Sequence, residues 1–141
     1  MSAKDAVCKA SKQFYSALNL MLKGDAGKLS DIWSHNASVT TMHPIGGREV
    51  GWKKVSESWK QVAKLSSGGK VKLNNQIINI SGNVAYELGI EQGKFKLAGK
   101  QISIKHRVTN IYQKKAGKWK IIHHHTDISP AMVDVLKRLK K

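Results

Sequence analysis

Cysteine occurs once, proline twice, and acidic residues only nine times in this chain of 141 residues. A lone Cys8 excludes an internal disulfide. The opening segment "MSAKDAVCKASKQFYSALNLMLKG" lacks the basic-then-apolar layout and cleavage site of a secretory signal, so a reducing, cytoplasmic setting is expected. No stretch approaches the roughly 20 apolar residues needed to span a bilayer, and a soluble protein without membrane insertion is expected. Arginine is scarce too. The 25 basic residues are almost all lysine, with arginine only at Arg48, Arg107 and Arg138, and forked contacts to phosphate or guanine are correspondingly few. No strand of the RNA-recognition type, helix-turn-helix or zinc-finger spacing is present. The formal charge of +16 therefore reads as a solvated lysine-rich surface with incidental polyanion affinity that falls as salt rises.

What is present is enough for one domain, residues 1–141, since 40% of the residues are hydrophobic and the length is too short for two ordinary units. From Ala3 to Leu22, apolar side chains at Val7, Phe14, Leu18, Met21 and Leu22 recur at helical spacing, and Gly24 ends the run. Asp25 is placed to cap a short second helix with Leu29, Ile32 and Trp33 inward. "NASVTTMHP" then alternates like a strand, with Val39, Thr41 and His43 on one face, and stops at Pro44 and a Gly46-Gly47 turn. Trp52, Val55, Trp59 and Val62 mark a third helix that ends near "SSGG".

After Gly69 the period becomes two. "KVKLNNQIINI", "NVAYELGIEQ", "KQISIKHRVTNIYQ" and "KWKIIHHHTD" are four strand candidates, separated by "SG", "GKFKLAG" and "KKAG". Ser129-Pro130 opens a last helix with Met132, Leu136 and Leu139 inward and "KRLKK" at its C-terminal end. Helices followed by an antiparallel meander predict an α+β domain whose helices cover one face of a curved sheet.

The last strand holds three consecutive histidines, and flanking folded sequence sets a purification tag aside. A two- or four-residue loop at "KKAG" pairs even residues of the penultimate strand with odd residues of the last. His106, Val108, Asn110 and Tyr112 then share a face with Trp119, Ile121, His123 and His125. Three histidines, an amide and a phenol among apolar side chains are the composition of a small-molecule pocket. His43 is a further candidate. His123 and His125 are the expected acid/base pair, with His43, His106, Asn110, Tyr112 and Trp119 lining the ligand. A lone inward His106 also fits a hydrogen-bonded core residue, and Asp127 either fixes an imidazole tautomer or caps the last helix. The inward or outward orientation of Glu87 and Glu91 stays open. His123, His125 and His106 can reach one ion in principle, but carboxylate and cysteine support is thin, and neither metal nor other cofactor is expected.

The stretches "FYSALNLMLKGDAGKLSDIWSHNASVTTMHPIGG", "GWKKVSESW" and "TNIYQKKAGKWKIIHHHTD" resemble the SnoaL-like members of the nuclear transport factor 2-like superfamily over nearly the whole chain. The closing hairpin, with Thr109, Asn110, Ile111 and Tyr112, then "KKAGKW", then His123 and His125, is also similar to the association domain of calcium/calmodulin-dependent protein kinase II. The resemblance implies a cone, a bent sheet wrapped around a long helix with a pocket at the wide end. It implies work without metal, in a superfamily of isomerases, cyclases, dehydratases, oligomerisation hubs and adaptors. Where the kinase domains often carry arginine this chain has Asn110, which removes that support for an anionic ligand.

Two functions follow. The first is binding of a mostly apolar small molecule, with isomerisation, cyclisation or dehydration by pocket histidines. The second is a non-enzymatic oligomerisation or interaction domain with an acidic partner such as RNA. A homodimer through the outer sheet face, burying Ile111 and Ile122, is expected from the apolar strip they form with Thr109, His124 and Thr126.

Overall fold

The computed structural model describes residues 2–139. Helix α1 (Ala3–Met21) begins at Ser2, whose hydroxyl accepts the Asp5 amide at 3.1 Å, and Asp5 complements the helix dipole in the first turn. Val7, Ala10, Phe14, Leu18 and Met21 recur every three or four residues and are all buried, so one stripe of α1 lies in the core. The short α2 (Leu29–Ile32) buries Leu29 and Ile32. Asp25 does not cap it; its carboxylate accepts the Gly27 amide and shapes the preceding turn.

Six strands form one sheet: β1 (Thr40–His43), β2 (Gly46–Val50), β3 (Ser66–Ser81), β4 (Val84–Leu97), β5 (Lys100–Lys115) and β6 (Lys118–Thr126). Helix α3 (Trp52–Leu65) separates β2 from β3, and α4 (Pro130–Leu139) closes the described chain. The strand order is β2-β1-β6-β5-β4-β3, antiparallel except between β1 and β6. The curved sheet wraps around α1, an α+β cone as the resemblance implies. Among the described residues no helix is long and apolar enough to cross a membrane.

Several elements differ from the sequence reading. Gly46 and Gly47 begin a second strand that pairs back on β1, so a hairpin rather than one strand precedes α3. "SSGG" belongs to β3, with a bulge between Ser67 and Gly69, and "GKFKL" continues β4 as far as Leu97. The β4–β5 and β5–β6 hairpins turn on Ala98-Gly99 and Ala116-Gly117, all four at positive φ, which is the two-residue turn that suits the twist of antiparallel strands. In α4 only Met132 is buried; Leu136 is half-buried and Leu139 is 53% exposed. That helix lies at the rim of the core, not in it.

The decisive irregularity is in β6. Lys115 pairs with Lys118 and Tyr112 with Ile121, but Ile111 pairs with His123, so one extra residue, Ile122, is inserted at a bulge. Inward parity therefore changes. Trp119 and Ile121 face the core as expected, and beyond the bulge His124 and Thr126 do so instead of His123 and His125.

Candidate ligand-binding site

Strand β5 alternates without interruption, burying Ile102, Ile104, His106, Val108, Asn110 and Tyr112. Glu87 and Glu91 of β4 also face inward, fully enclosed, and α1 supplies Tyr15 from above. Two buried carboxylates demand donors, because an uncompensated charge in the interior is costly. Glu87 accepts from Tyr112 Oη at 2.8 Å, Asn110 Nδ2 at 2.9 Å and Gln76 Nε2 at 2.6 Å. Glu91 accepts from Tyr15 Oη at 2.9 Å and lies 2.8 Å from His106 Nε2. Asn110 Nδ2 also donates to Tyr15 Oη at 3.1 Å, which joins the two carboxylate clusters.

This network assigns the imidazole protons. With both Asn110 Nδ2 hydrogens given away, Asn110 Oδ1 accepts, so His124 donates from Nδ1 across 2.6 Å and its Nε2 is a lone-pair nitrogen. Glu91 as a carboxylate makes His106 Nε2 the donor, leaving Nδ1 buried and without a partner. Ser58 gives its hydroxyl proton to the Val55 carbonyl, so His43 Nε2 donates to Ser58 Oγ at 2.8 Å and its Nδ1 is bare.

Electrostatics agree with this assignment. Burial, with repulsion from His124, lowers the His43 pKa to about 3. Burial also lowers His124 to about 4 against the pull of Glu91. Both rings are neutral at pH 7. Burial alone raises the Glu91 carboxyl, but the His106 hydrogen bond and the neighbouring imidazoles bring it below the ordinary carboxylate value. Burial, reinforced by Glu91 and Glu87 respectively, pushes the phenols of Tyr15 and Tyr112 well above their usual range, so both stay donors.

His43, His106 and His124 line one cavity of about 40 Å³, together with Glu91, Trp59 and Met132. The His43 and His124 rings lie 6.3 Å apart, and Trp59 packs edge-on to His43 at 4.6 Å. Trp59 Nε1 is buried without a partner. Beyond His43, Ile45, Val62 and Met132 the space continues into a groove of about 570 Å³ beneath α4, whose walls include Leu97 and Leu136.

Of the residues expected from sequence, His43 and His106 line this cavity. Asn110 and Tyr112 lie behind it in the hydrogen-bond network, and Trp119 is buried in the core outside the cavity. His123 and His125 stand on the outer face. His123 is half-buried beside Thr40 Oγ1 at 2.6 Å, its pKa lowered by burial and then by His125, whose ring is 5.8 Å away; His125 is exposed. The bulge at Ile122 is the reason. Sequence reasoning missed His124, Tyr15 and Trp59, and left Glu87 and Glu91 open. Asp127 neither caps α4 nor touches an imidazole; it makes a forked pair with Arg107 at 2.8 and 3.0 Å, and Arg107 holds its carboxyl down to about 2. Ser129 caps α4 instead. Among the described residues no group of three His, Cys, Asp or Glu is arranged to hold a metal ion.

A curved sheet around a long helix, with a polar-floored cavity under its wide end, defines the nuclear transport factor 2-like class. Within that class residues 7–132 match the SnoaL-like domain, and the chain belongs to this family. No curated protein matches the chain. Among solved structures it is similar to a candidate dehydratase of the nuclear transport factor 2-like family from Streptomyces avermitilis. That match has 19% identity and a TM-score of 0.77, covering 89% of this chain and 95% of that one. A candidate ketosteroid isomerase from Shewanella frigidimarina matches at 23% identity and TM-score 0.71, covering 86% and 94%. A candidate calcium/calmodulin-dependent protein kinase II association domain from Xanthomonas campestris matches at 18% identity and TM-score 0.70, covering 88% and 86%. At these identities the likeness is one of fold.

Proposed function

We propose that the cavity binds a small, neutral, mostly apolar molecule and catalyses a proton transfer on it, of the kind that isomerisation, dehydration or cyclisation requires. The observation that carries this reading is the His106–Glu91 pair. Nε2–H donates a hydrogen bond to the carboxylate at 2.8 Å, so the opposite nitrogen, Nδ1, carries a lone pair with no partner of its own. When Nδ1 takes a proton, the imidazolium formed is stabilised by the Glu91 carboxylate beside it. His124 Nε2 offers a second acceptor. An anionic substrate would meet lone pairs and a carboxylate, so a neutral one is favoured. The polar end occupies the inner cavity and the apolar body extends into the groove under α4. The candidate dehydratase and isomerase names of two similar structures are in keeping with this chemistry.

A second copy of the chain is expected to cover the end of the outer sheet face away from the lysines of β3 and β4. Tyr86, Leu88 and Ile77 are 44, 37 and 55% exposed there beside Ile111, more apolar surface than an exposed sheet usually carries. The half-buried, lone Cys8 supports a reducing, cytoplasmic setting. A panel of neutral β-hydroxy and β,γ-unsaturated carbonyl compounds, assayed for hydrogen exchange in D2O, tests the reaction. Exchange lost by about 100-fold in His106→Gln is expected; equal rates in variant and wild type would overturn it.

A further inference from the structure

The lysines are not spread evenly. On the outer face of the distal halves of β3, β4 and β5, Lys70 and Lys72, Lys94 and Lys96, and Lys105 all project to solvent. The register sets them in rows: Lys70 opposite Lys94, and Lys72 and Lys105 either side of Gln92. Neighbouring strands are about 4.8 Å apart and alternate residues about 7 Å apart, so this is a two-dimensional lattice of positive charge. The only acids on these three strands, Glu87 and Glu91, point inward, and no lysine among the described residues makes an ion pair. Directly opposed like charges weaken strand pairing, so Lys70 and Lys94 work against the fold unless something neutralises them.

A second feature lies at the same place. The bulge between Ser67 and Gly69 leaves Gly68 without a register partner and opens a notch of about 430 Å³ between Lys94, Lys96 and Gln101. A side chain cannot fill it from Gly69, where φ is +136° and an added Cβ would sit 2.3 Å from the Lys94 carbonyl oxygen. The notch walls are thus lysine, amide and bare backbone, the donors that phosphate oxygens accept from.

We infer that this lysine face binds the backbone of duplex nucleic acid without sequence preference. Single strands are held by stacking on aromatics, and no aromatic is exposed among these lysines, Tyr86 lying at the other end of the sheet. Base reading needs forked donors, and the one arginine nearby, Arg107, is taken by Asp127. Membrane adsorption favours apolar side chains beside the charges, but Gln92, Gln101 and Ser103 are interleaved here.

The test is titration of a short fluorescent DNA duplex of mixed sequence between about 50 and 200 mM salt. Five neutralised phosphates predict a slope of about −4.5 in log K against log salt. Replacing Lys70, Lys72, Lys94, Lys96 and Lys105 by Gln should weaken binding by about 100-fold and flatten the slope. A control with the same change in net charge replaces Lys4, Lys9, Lys12, Lys53 and Lys60 by Gln, and should weaken binding by less than about threefold if the face is the site. All ten positions are exposed, so circular dichroism is expected to be unchanged. Equal loss in both variants would reduce the binding to net charge and overturn the assignment. So would tighter binding to single strands, or to vesicles containing anionic lipid with the same lysine dependence.

Discussion

His124 and Asn110 sit directly opposite each other in the β5–β6 register, and the 2.6 Å bond between them ties the cavity to the buried carboxylates. One amide serves three partners: His124, Tyr15 and Glu87.

Asn110→Leu keeps the branched shape but strands the His124 Nδ1 proton and removes one donor from Glu87. Loss of a shared member of a buried network should cost about 2–5 kcal/mol, read as a lower midpoint in urea with unchanged slope. A loss below about 0.5 kcal/mol would mean that the network contributes little.

Acid should destabilise the fold well before carboxylates protonate. His43 and His124 titrate at about 3 and 4 in the folded chain, against 6.5 when free. Below about pH 6.5 the unfolded chain takes up protons that the buried rings refuse, so stability is full above that value and falls toward pH 4. The slope is about 1.4 kcal/mol per pH unit for each ring. Urea midpoints at pH 7 and 4.5 check this, and His124→Gln should show the shallower dependence.

His125→Ala should leave ligand binding and turnover within about twofold of wild type, since its ring is on the outer face, whereas His124→Gln should reduce turnover by about 100-fold. Steady-state kinetics on a substrate found by the exchange assay distinguishes the two histidines, which are adjacent in sequence and on opposite sides of the sheet.

The end of the outer face around Tyr86 and Ile111 should bury itself in a symmetric homodimer. Ile111→Lys, or Tyr86→Lys directly across from it, is expected to give a monomer by light scattering at tens of micromolar. Ile122, expected on the same outer strip from the sequence, packs instead against the core cluster.

Much of the framework was legible in the sequence because its physical signals are local. The alternation from Ile102 to Tyr112 identified the inward side of β5, and the spacing from Val7 to Met21 identified the buried stripe of α1. Two other features were not legible. A bulge leaves no mark when both residues around it, Ile121 and Ile122, are apolar, so the three histidines of β6 were assigned to the wrong faces. In β4 the pattern is inverted: Tyr86 and Leu88 face out while Glu87 and Glu91 face in. Hydrophobicity then points the wrong way, because the inner face is specified by donors on β3, β5 and α1 that lie far off in sequence. The hairpin β1–β2 was hidden because four of the five residues of its second strand are glycine or charged.

The parallel pairing of β1 with β6 has a kinetic consequence. Thr40 and His123, bonded across it, are 83 residues apart in the chain. Closing so long a loop is slow relative to forming the β3–β4–β5 meander, whose contacts are sequential. The meander is therefore expected to collapse first, with β1 docking only after β6 has left the ribosome. Until then the cavity beside Glu91 stays open on the side that His124 later closes, and the desolvation of that carboxylate is completed in the last step of folding.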